Sequence, residues 1–255
     1  EKIINRNTGL VIVNGPTGSG KSTTLYTILN HVNRSEVNVV TLEDPVEVII
    51  NGVNQMMVNS KEGISFADGL RSVMRQDPDV IMVGEIRDEE TAAMAVRAAL
   101  TGHKVYTTIH STEPREVYLR LEEMGIKSYL IRESLVGIIS QRLIKMLCDS
   151  CKEEEIITYK DNKVKIYKKG DGCEKCNFTG YLGRALIISV NEINKDLKKK
   201  LVKLYDNNTI LTNIQMVDNL NNLLLTGKIS RLDYMEFIDR EELDFDYEGS
   251  FKAES

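Results

Sequence analysis

Short apolar runs alternate with longer amphipathic stretches through the first half of the chain. Leu10-Val11-Ile12-Val13 is a four-residue apolar run, and after a glycine-rich segment Thr23 to Leu29 (TTLYTIL) reads as a helix. Val37 to Leu42 (VNVVTL) is β-branched and apolar, as a buried parallel strand requires, and it ends in Glu43-Asp44-Pro45-Val46-Glu47. Val48 to Val58 reads as a hairpin about Asn51-Gly52, a two-residue turn signal. Ser65 opens a helix with Asp68 as its capping partner. Val80 to Val83 is another short buried strand, and Asp88 caps a helix that runs through TAAMAVRAAL and stops at Gly102. Thr101 to His110 follows as a turn and strand. From Asn191 onward the pattern is helical and Lys-rich, and the last part, Arg240 to Ser255, is acidic and expected to fray.

The segment between the first apolar run and the first helix gives this pattern its chemistry. Gly15 to Thr23 reads GPTGSGKST, a P-loop in the strand-loop-helix context that motif requires. Gly15, Pro16, Thr17, Gly18, Ser19 and Gly20 would wrap backbone N–H groups around a β-phosphate, helped by the positive end of the helix. Lys21 would reach the β- and γ-phosphates, and Ser22, with Thr23 beside it, would ligate Mg²⁺. ATP with Mg²⁺ is therefore the expected ligand. The expected fold class is α/β: a P-loop (RecA-like) parallel sheet flanked by helices, with ligands at the carboxyl ends of the strands.

Several other side chains fall where that edge would be. Glu43 or Asp44 ends one strand and suits the orienting of an attacking water, although Asp44-Pro45 is also ordinary turn chemistry. The Val80–Val83 run resembles a Walker B strand, but Gly84 stands where an aspartate usually ends it and Glu85 follows, so that long side chain would have to reach Mg²⁺ or its water. Arg71 and Arg75, four residues apart, either sit in solvent or grip a phosphate in trans. His103 and His110, two of three histidines, frame one strand and read either as a γ-phosphate sensor or subunit-contact relay, or as structural groups.

Composition narrows the function further. With 255 residues and 42% hydrophobic content the chain can bury a full core. A net charge of −5 argues against general nucleic-acid binding. No apolar stretch approaches the roughly 18 residues of a membrane span, and no signal-peptide pattern opens the chain, so a cytoplasmic location is expected. All four cysteines lie in two CxxC pairs, Cys148/Cys151 and Cys173/Cys176, separated by 21 residues. That is zinc-ribbon spacing, four thiolates for one tetrahedral Zn²⁺ of structural type. Disulfides are the competing reading, disfavoured in a reducing compartment.

The motifs taken together resemble one family. GPTGSGKSTTLY, TLEDPVE, GLRSVMRQDPDVIMVGEIRD and TGHKVYTTIH look like the Walker A, Asp box, Walker B and His box of the secretion traffic ATPases. The likeness runs from about Gly9 to Gly183, and Gly180-Tyr181-Leu182-Gly183-Arg184 is similar to the family's GYxGR stretch, which makes Arg184 a candidate intersubunit contact. Beyond it, Ala185-Leu186-Ile187-Ile188 departs from the family's usual Thr-Gly-Ile-Tyr. That family powers type II secretion, type IV pilus assembly and retraction, and DNA-uptake pili. The resemblance implies an ATPase working as a homo-hexamer against a membrane platform protein, associated peripherally with the inner face of the cell membrane through its partners. A tetracysteine element is typical of the assembly and secretion branch, so a pilus-extension motor is expected. Type II secretion and DNA uptake share every motif, and a nucleotide-gated scaffold is the non-enzyme alternative.

The expected organisation is a P-loop ATPase core over residues 1–145, a tetracysteine zinc-binding subdomain over 146–183 and a helical C-terminal region over 184–255. Family members carry an upstream domain that closes over the nucleotide and supplies arginines. The chain is expected to lack it, and to hydrolyse ATP poorly alone.

Overall fold

The computed structural model describes residues 2–58, 64–159, 162–201, 211, 213–241 and 243. Of the tail expected to fray, Arg240 to Ser255, residues 242 and 244–255 lie outside the described residues. Two compact units divide the chain: one holds Glu1–Gln141 and Val190–Thr212, the other Arg142–Ser189 and Asn213–Ser255. The cysteine-bearing segment and the last two helices thus share one unit.

The first unit is built on β1 (Gly9–Asn14), α1 (Lys21–Val32), β2 (Val39–Glu43), β3 (Asn54–Met57), α2 (Phe66–Val73), β4 (Val80–Val83), α3 (Glu89–Leu100), β5 (Lys104–Ile109), α4 (Pro114–Glu123) and α5 (Ser128–Ser134). It also takes the start of β6 (Leu135–Leu147), the end of β9 (Tyr181–Glu192) and α6 (Lys195–Lys200). The strands form one seven-stranded sheet in the order β3-β2-β4-β5-β1-β6-β9. β1 pairs parallel with β5 and β6, β2 with β3 and β4, and β4 with β5. Non-sequential parallel neighbours need crossovers, and the helices supply them.

β1 is buried at all six positions, so its side chains must meet apolar partners on both faces. Val11 and Val13 pack with Leu25, Tyr26, Ile28 and Leu29 of α1. Leu10 and Ile12 pack with Phe66, Leu70, Ala92, Val96, Val117 and Ile131 from α2 to α5 on the other face. The caps follow the sequence: Ser65 accepts from the Asp68 N–H to start α2, and Asp88 from the Thr91 N–H to start α3.

One expected element is absent. Residues 48–58 do not make a hairpin. The Val53 N–H donates to the Ile50 carbonyl at 3.3 Å about Asn51-Gly52, so the turn forms, but no strand precedes it. β3 instead joins β2 in parallel, with Val40 beside Asn54 and Glu43 beside Met57. Turn chemistry fixes the reversal but not which edge the outgoing strand pairs with, and β2 offered a free one.

The second unit contains the rest of β6, an antiparallel hairpin of β7 (Glu153–Tyr159) and β8 (Asn162–Lys168), the start of β9, α7 (Ile214–Leu225) and α8 (Arg231–Arg240). Its core is separate: Ile144, Ile157, Ile166, Ile187, Met216, Leu220, Leu224, Tyr234 and Phe237. A buried ion pair, Arg142 Nε to Glu241 Oε2 at 2.5 Å, ties the end of α8 to β6.

Candidate nucleotide and metal sites

The carboxyl ends of β1, β2, β4 and β5 lie side by side, because these strands are parallel and in register. β1 leads into the glycine-rich loop, β2 ends on Glu43, β4 on Gly84-Glu85 and β5 on His110. Four separate sequence segments therefore meet at one edge.

The loop depends on its glycines. Gly18 and Gly20 have φ of +77° and +87°, in the left-handed region that favours glycine. At Gly15 a Cβ would stand 2.5 Å from the Gln141 carbonyl oxygen and 2.7 Å from Ser19 Oγ. Pro16, Thr17 and Gly18 are exposed at the tip and Ser19 is buried, its Oγ without a hydrogen-bond partner. Gln141 Nε2 donates to the Ser19 carbonyl at 2.7 Å and braces the loop from β6. Behind it, Ser140 Oγ donates to Asn14 Oδ1 at 2.6 Å and Asn14 Nδ2 to Ser111 Oγ at 3.1 Å.

Lys21, in the first turn of α1, is buried, and its Nζ donates to the carbonyls of Gly15 at 2.9 Å and Pro16 at 3.0 Å. Ser22 and Thr23 follow it on the exposed side. His110 Nδ1 lies 3.5 Å from Lys21 Nζ, and its Nε2 lies 3.6 Å from Glu85 Oε2. Burial first, then the Lys21 charge, hold the imidazole below its ordinary pKa, which keeps it neutral at physiological pH. Glu85 Oε1 pairs with Arg87, while Oε2 is buried without a hydrogen-bond partner. A buried carboxylate oxygen with no donor, beside a phosphate-binding loop, fits a Mg²⁺ or its water. Ser22 and Glu85 are the residues that would hold that ion.

Glu43 is buried at 3% exposure and accepts three side-chain hydrogen bonds. Tyr26 Oη donates to Oε2 at 2.5 Å, and Thr41 Oγ1 and Gln55 Nε2 donate to Oε1 at 2.5 and 3.0 Å. Burial and the Glu43 bond push the Tyr26 phenol up to about 12.

Other expected site residues lie elsewhere. His103 sits at the amino end of β5, with Nδ1 3.0 Å from the Ala98 carbonyl and Thr101 Oγ1 at 3.3 Å. The six residues of β5 span about 20 Å, so His103 and His110 do not meet, and His103 is not at the P-loop. Arg71 is exposed and held by Asp68 at 2.7 Å and by Glu90. Arg75 lies past the end of α2 and donates to the Arg71 carbonyl at 2.7 Å, so the two do not form one helical face. Arg184 is exposed on β9 in the second unit.

The second unit carries the cysteines. All four Sγ atoms lie within 4.8 Å of one another. Cys148–Cys173 and Cys151–Cys176 are 3.8 Å apart and Cys173–Cys176 3.9 Å. These are free thiols, not disulfides. An ion bound tetrahedrally at about 2.3 Å sets its sulfurs about 3.8 Å apart, so the thiols fit zinc. Cys176 Sγ also accepts the N–H groups of Cys173 at 3.2 Å and Gly180 at 3.3 Å. The Cys173 bond first, then the Gly180 bond after a smaller opposing effect of burial, hold this thiol down to about 6. Four thiolates leave no open position, so such an ion would be structural.

Residues 1–231 match the family described as "Type II/IV secretion system protein". The chain belongs to that family. It is 47% identical over 191 residues to "Type II secretion system protein E" of Dickeya dadantii, covering 72% of this chain and 38% of that protein. It is 48% identical over 191 residues to "Type II secretion system ATPase E" of Vibrio cholerae, with the same coverage. Over 213 residues it is 41% identical to "Type IV pilus assembly ATPase PilB" of Thermus thermophilus, 79% of this chain and 24% of that one. The chain thus spans well under half the length of these curated relatives. Among solved structures, the pilus retraction motor PilT with bound ADP superposes with a TM-score of 0.68 at 30% identity, covering 92% of this chain and 62% of that one. The DotB ATPase of Legionella pneumophila gives 0.68 at 25% identity, covering 94% and 62%.

Sequence reasoning missed Tyr26, Gln55, Gln141, Asn14 and Ser140, which brace the site. Tyr26 stands inside the quoted GPTGSGKSTTLY string, but nothing in the spacing shows that it faces Glu43 rather than the core.

Proposed function

We propose that this chain is the nucleotide-binding part of a Mg-ATP-hydrolysing motor that drives assembly of a pilus or pseudopilus. The observation that carries this reading is the convergence of Lys21, His110 and the unpartnered Glu85 oxygen at the mouth of the glycine loop. In this reading residues 15–23 cradle the phosphates and Lys21 turns from its own loop carbonyls to the γ-phosphate. Glu85 holds the water of a bound Mg²⁺, which supplies charge neutralisation on the phosphates. Glu43 orients the attacking water, and neutral His110, between Lys21 and Glu85, senses the γ-phosphate. The four cysteines hold a structural zinc. An upstream domain and neighbouring subunits of a homo-hexamer bring further cations, with Arg71, Arg75 and Arg184 as candidate contacts across subunits. The motor works on a membrane platform protein at the cytoplasmic face and binds no nucleic acid. Among the described residues no helix is long and apolar enough to cross a membrane, which is compatible with peripheral attachment.

Within this class, the tetracysteine cluster favours assembly over retraction, and pilus extension is our reading. A type II secretion motor is the second reading, favoured by identities of 47% and 48% to secretion proteins against 41% to a pilus ATPase. Replacing Lys21 with alanine in the full-length protein in its own cells separates them when surface pili and secreted protein are assayed together. Lost pili with normal secretion supports extension, and intact pili with failed secretion supports type II secretion. Both unchanged would overturn both the extension and the type II secretion readings and point to DNA uptake or a scaffold.

A further inference from the structure

Three donors converge on Glu43 from three elements: Tyr26 on α1, Thr41 on β2 and Gln55 on the edge strand β3. An ionised carboxylate offers about four lone-pair sites. Three are taken, which leaves one, in a fixed direction. The donors are themselves held. Tyr26 Oη accepts the Glu47 N–H at 3.2 Å. Gln55 donates to the Val48 carbonyl at 2.9 Å, while its Oε1 accepts the Ile50 N–H at 2.7 Å. The loop from Glu47 to Ile50 therefore clamps both side chains in the orientation that points them at Glu43. This is more hydrogen bonding than packing requires: a phenylalanine and a methionine would fill the same volumes without it.

We infer that Tyr26 and Gln55 are positioning residues, which fix the direction of the single acceptor site left on Glu43 and so set the rate of turnover without adding to nucleotide affinity. The inference rests on the reading that Glu43 orients the attacking water. Water held a fraction of an ångström off line loses much of the advantage of positioning, so loosening Glu43 acts on kcat. α1 carries both Lys21 and Tyr26, which puts the phosphate grip and the Glu43 clamp on one rigid element, five residues apart.

The test uses the full-length protein with Tyr26→Phe, Gln55→Met and Glu43→Gln, singly and combined. Steady-state kcat and KM for Mg-ATP are read beside the Kd of a non-hydrolysable ATP analogue and the melting temperature. Tyr26→Phe and Gln55→Met are each expected to lower kcat about tenfold, with KM and analogue Kd within about twofold of wild type. Neither is expected to lower further the residual turnover of Glu43→Gln, because both act through that carboxylate. Wild-type kcat in both single variants overturns the inference while leaving Glu43 in place. A fall in kcat matched by equal losses of analogue affinity and melting temperature also overturns it, since that is the behaviour of a core contact. Full turnover by Glu43→Gln would instead remove the assignment on which the inference stands.

Discussion

Replacing Cys148 with serine perturbs the second unit at its most enclosed ligand. Cys148 is 0% exposed at the end of β6, its Sγ is 3.8 Å from Cys173 Sγ, and its N–H donates to the Gly180 carbonyl at 2.9 Å. The substitution keeps the backbone and nearly the volume but removes one thiolate. Structural zinc sites are worth on the order of 10–16 kcal/mol. A quarter of that, about 3 kcal/mol, corresponds to a hundredfold or greater loss of zinc affinity. The unit has its own apolar core in Ile144, Ile166, Leu220 and Phe237, so it is expected to loosen rather than unfold outright. Metal content after purification is the first readout: about one zinc per chain in wild type and substoichiometric zinc in the variant. Competition with a chromophoric chelator gives the affinity, and a lower melting transition gives the stability. Nucleotide affinity is expected to hold within about twofold, because the P-loop and its braces all lie in the other unit. Wild-type protein that purifies without zinc and melts unchanged in chelator would refute the reasoning, as would a variant with undiminished zinc affinity.

Two further perturbations act within the first unit. Lys104 is 2% exposed and donates to the Ile3 carbonyl at 2.6 Å, and burial, with the Arg6 charge adding to it, pushes its pKa down from 10.5 to about 8. The unfolded chain then binds more protons between about pH 8 and 10.5, so stability rises with pH across that window. Below it the buried charge destabilises by up to about 3 kcal/mol. Lys104→Met, which also loses a hydrogen bond worth about 1 kcal/mol, is expected to raise the melting temperature more at pH 7.5 than at pH 10.5; an equal gap at both pH values would refute this. Gly15→Ala drives a methyl onto the Gln141 carbonyl oxygen at 2.5 Å, whereas Gly18→Ala meets nothing within 4 Å and suffers only backbone strain. ATP-analogue affinity measured by fluorescence should fall about tenfold or more for the first and clearly less for the second, and equal losses would contradict the packing account.

How much of this was legible in the sequence depended on the range of the interactions involved. The glycine loop, the β4 strand and the α2 and α3 caps are local, and Gly15 to Thr23, Val80 to Val83, Ser65 and Asp88 carry them in their residue types. The β7–β8 hairpin was not read, because a run of three Glu before two Ile, and Lys spaced with Val, Ile and Tyr, look like any charged excursion until they pair. His103 and His110 read alike, as sensor, relay or structural groups, because they frame one strand, but a strand keeps its two ends apart and only His110 lies beside Lys21. Gln141 and Ser140 reach the loop from β6, and no spacing rule connects residues more than a hundred positions apart. Arg71 read as either solvated or a grip on phosphate in trans, and its pairing with Glu90 on α3 is a long-range contact that spacing does not show.

Glu85→Gln in the full-length protein tests the central claim most directly, with analogue affinity and phosphate release measured on the same preparation. The substitution keeps size and removes the charge whose Oε2 lies beside His110. Analogue binding within about threefold of wild type, with turnover reduced a hundredfold or more, is the expected result. Turnover at the wild-type rate would contradict it, and the metal-site role of Glu85 with it.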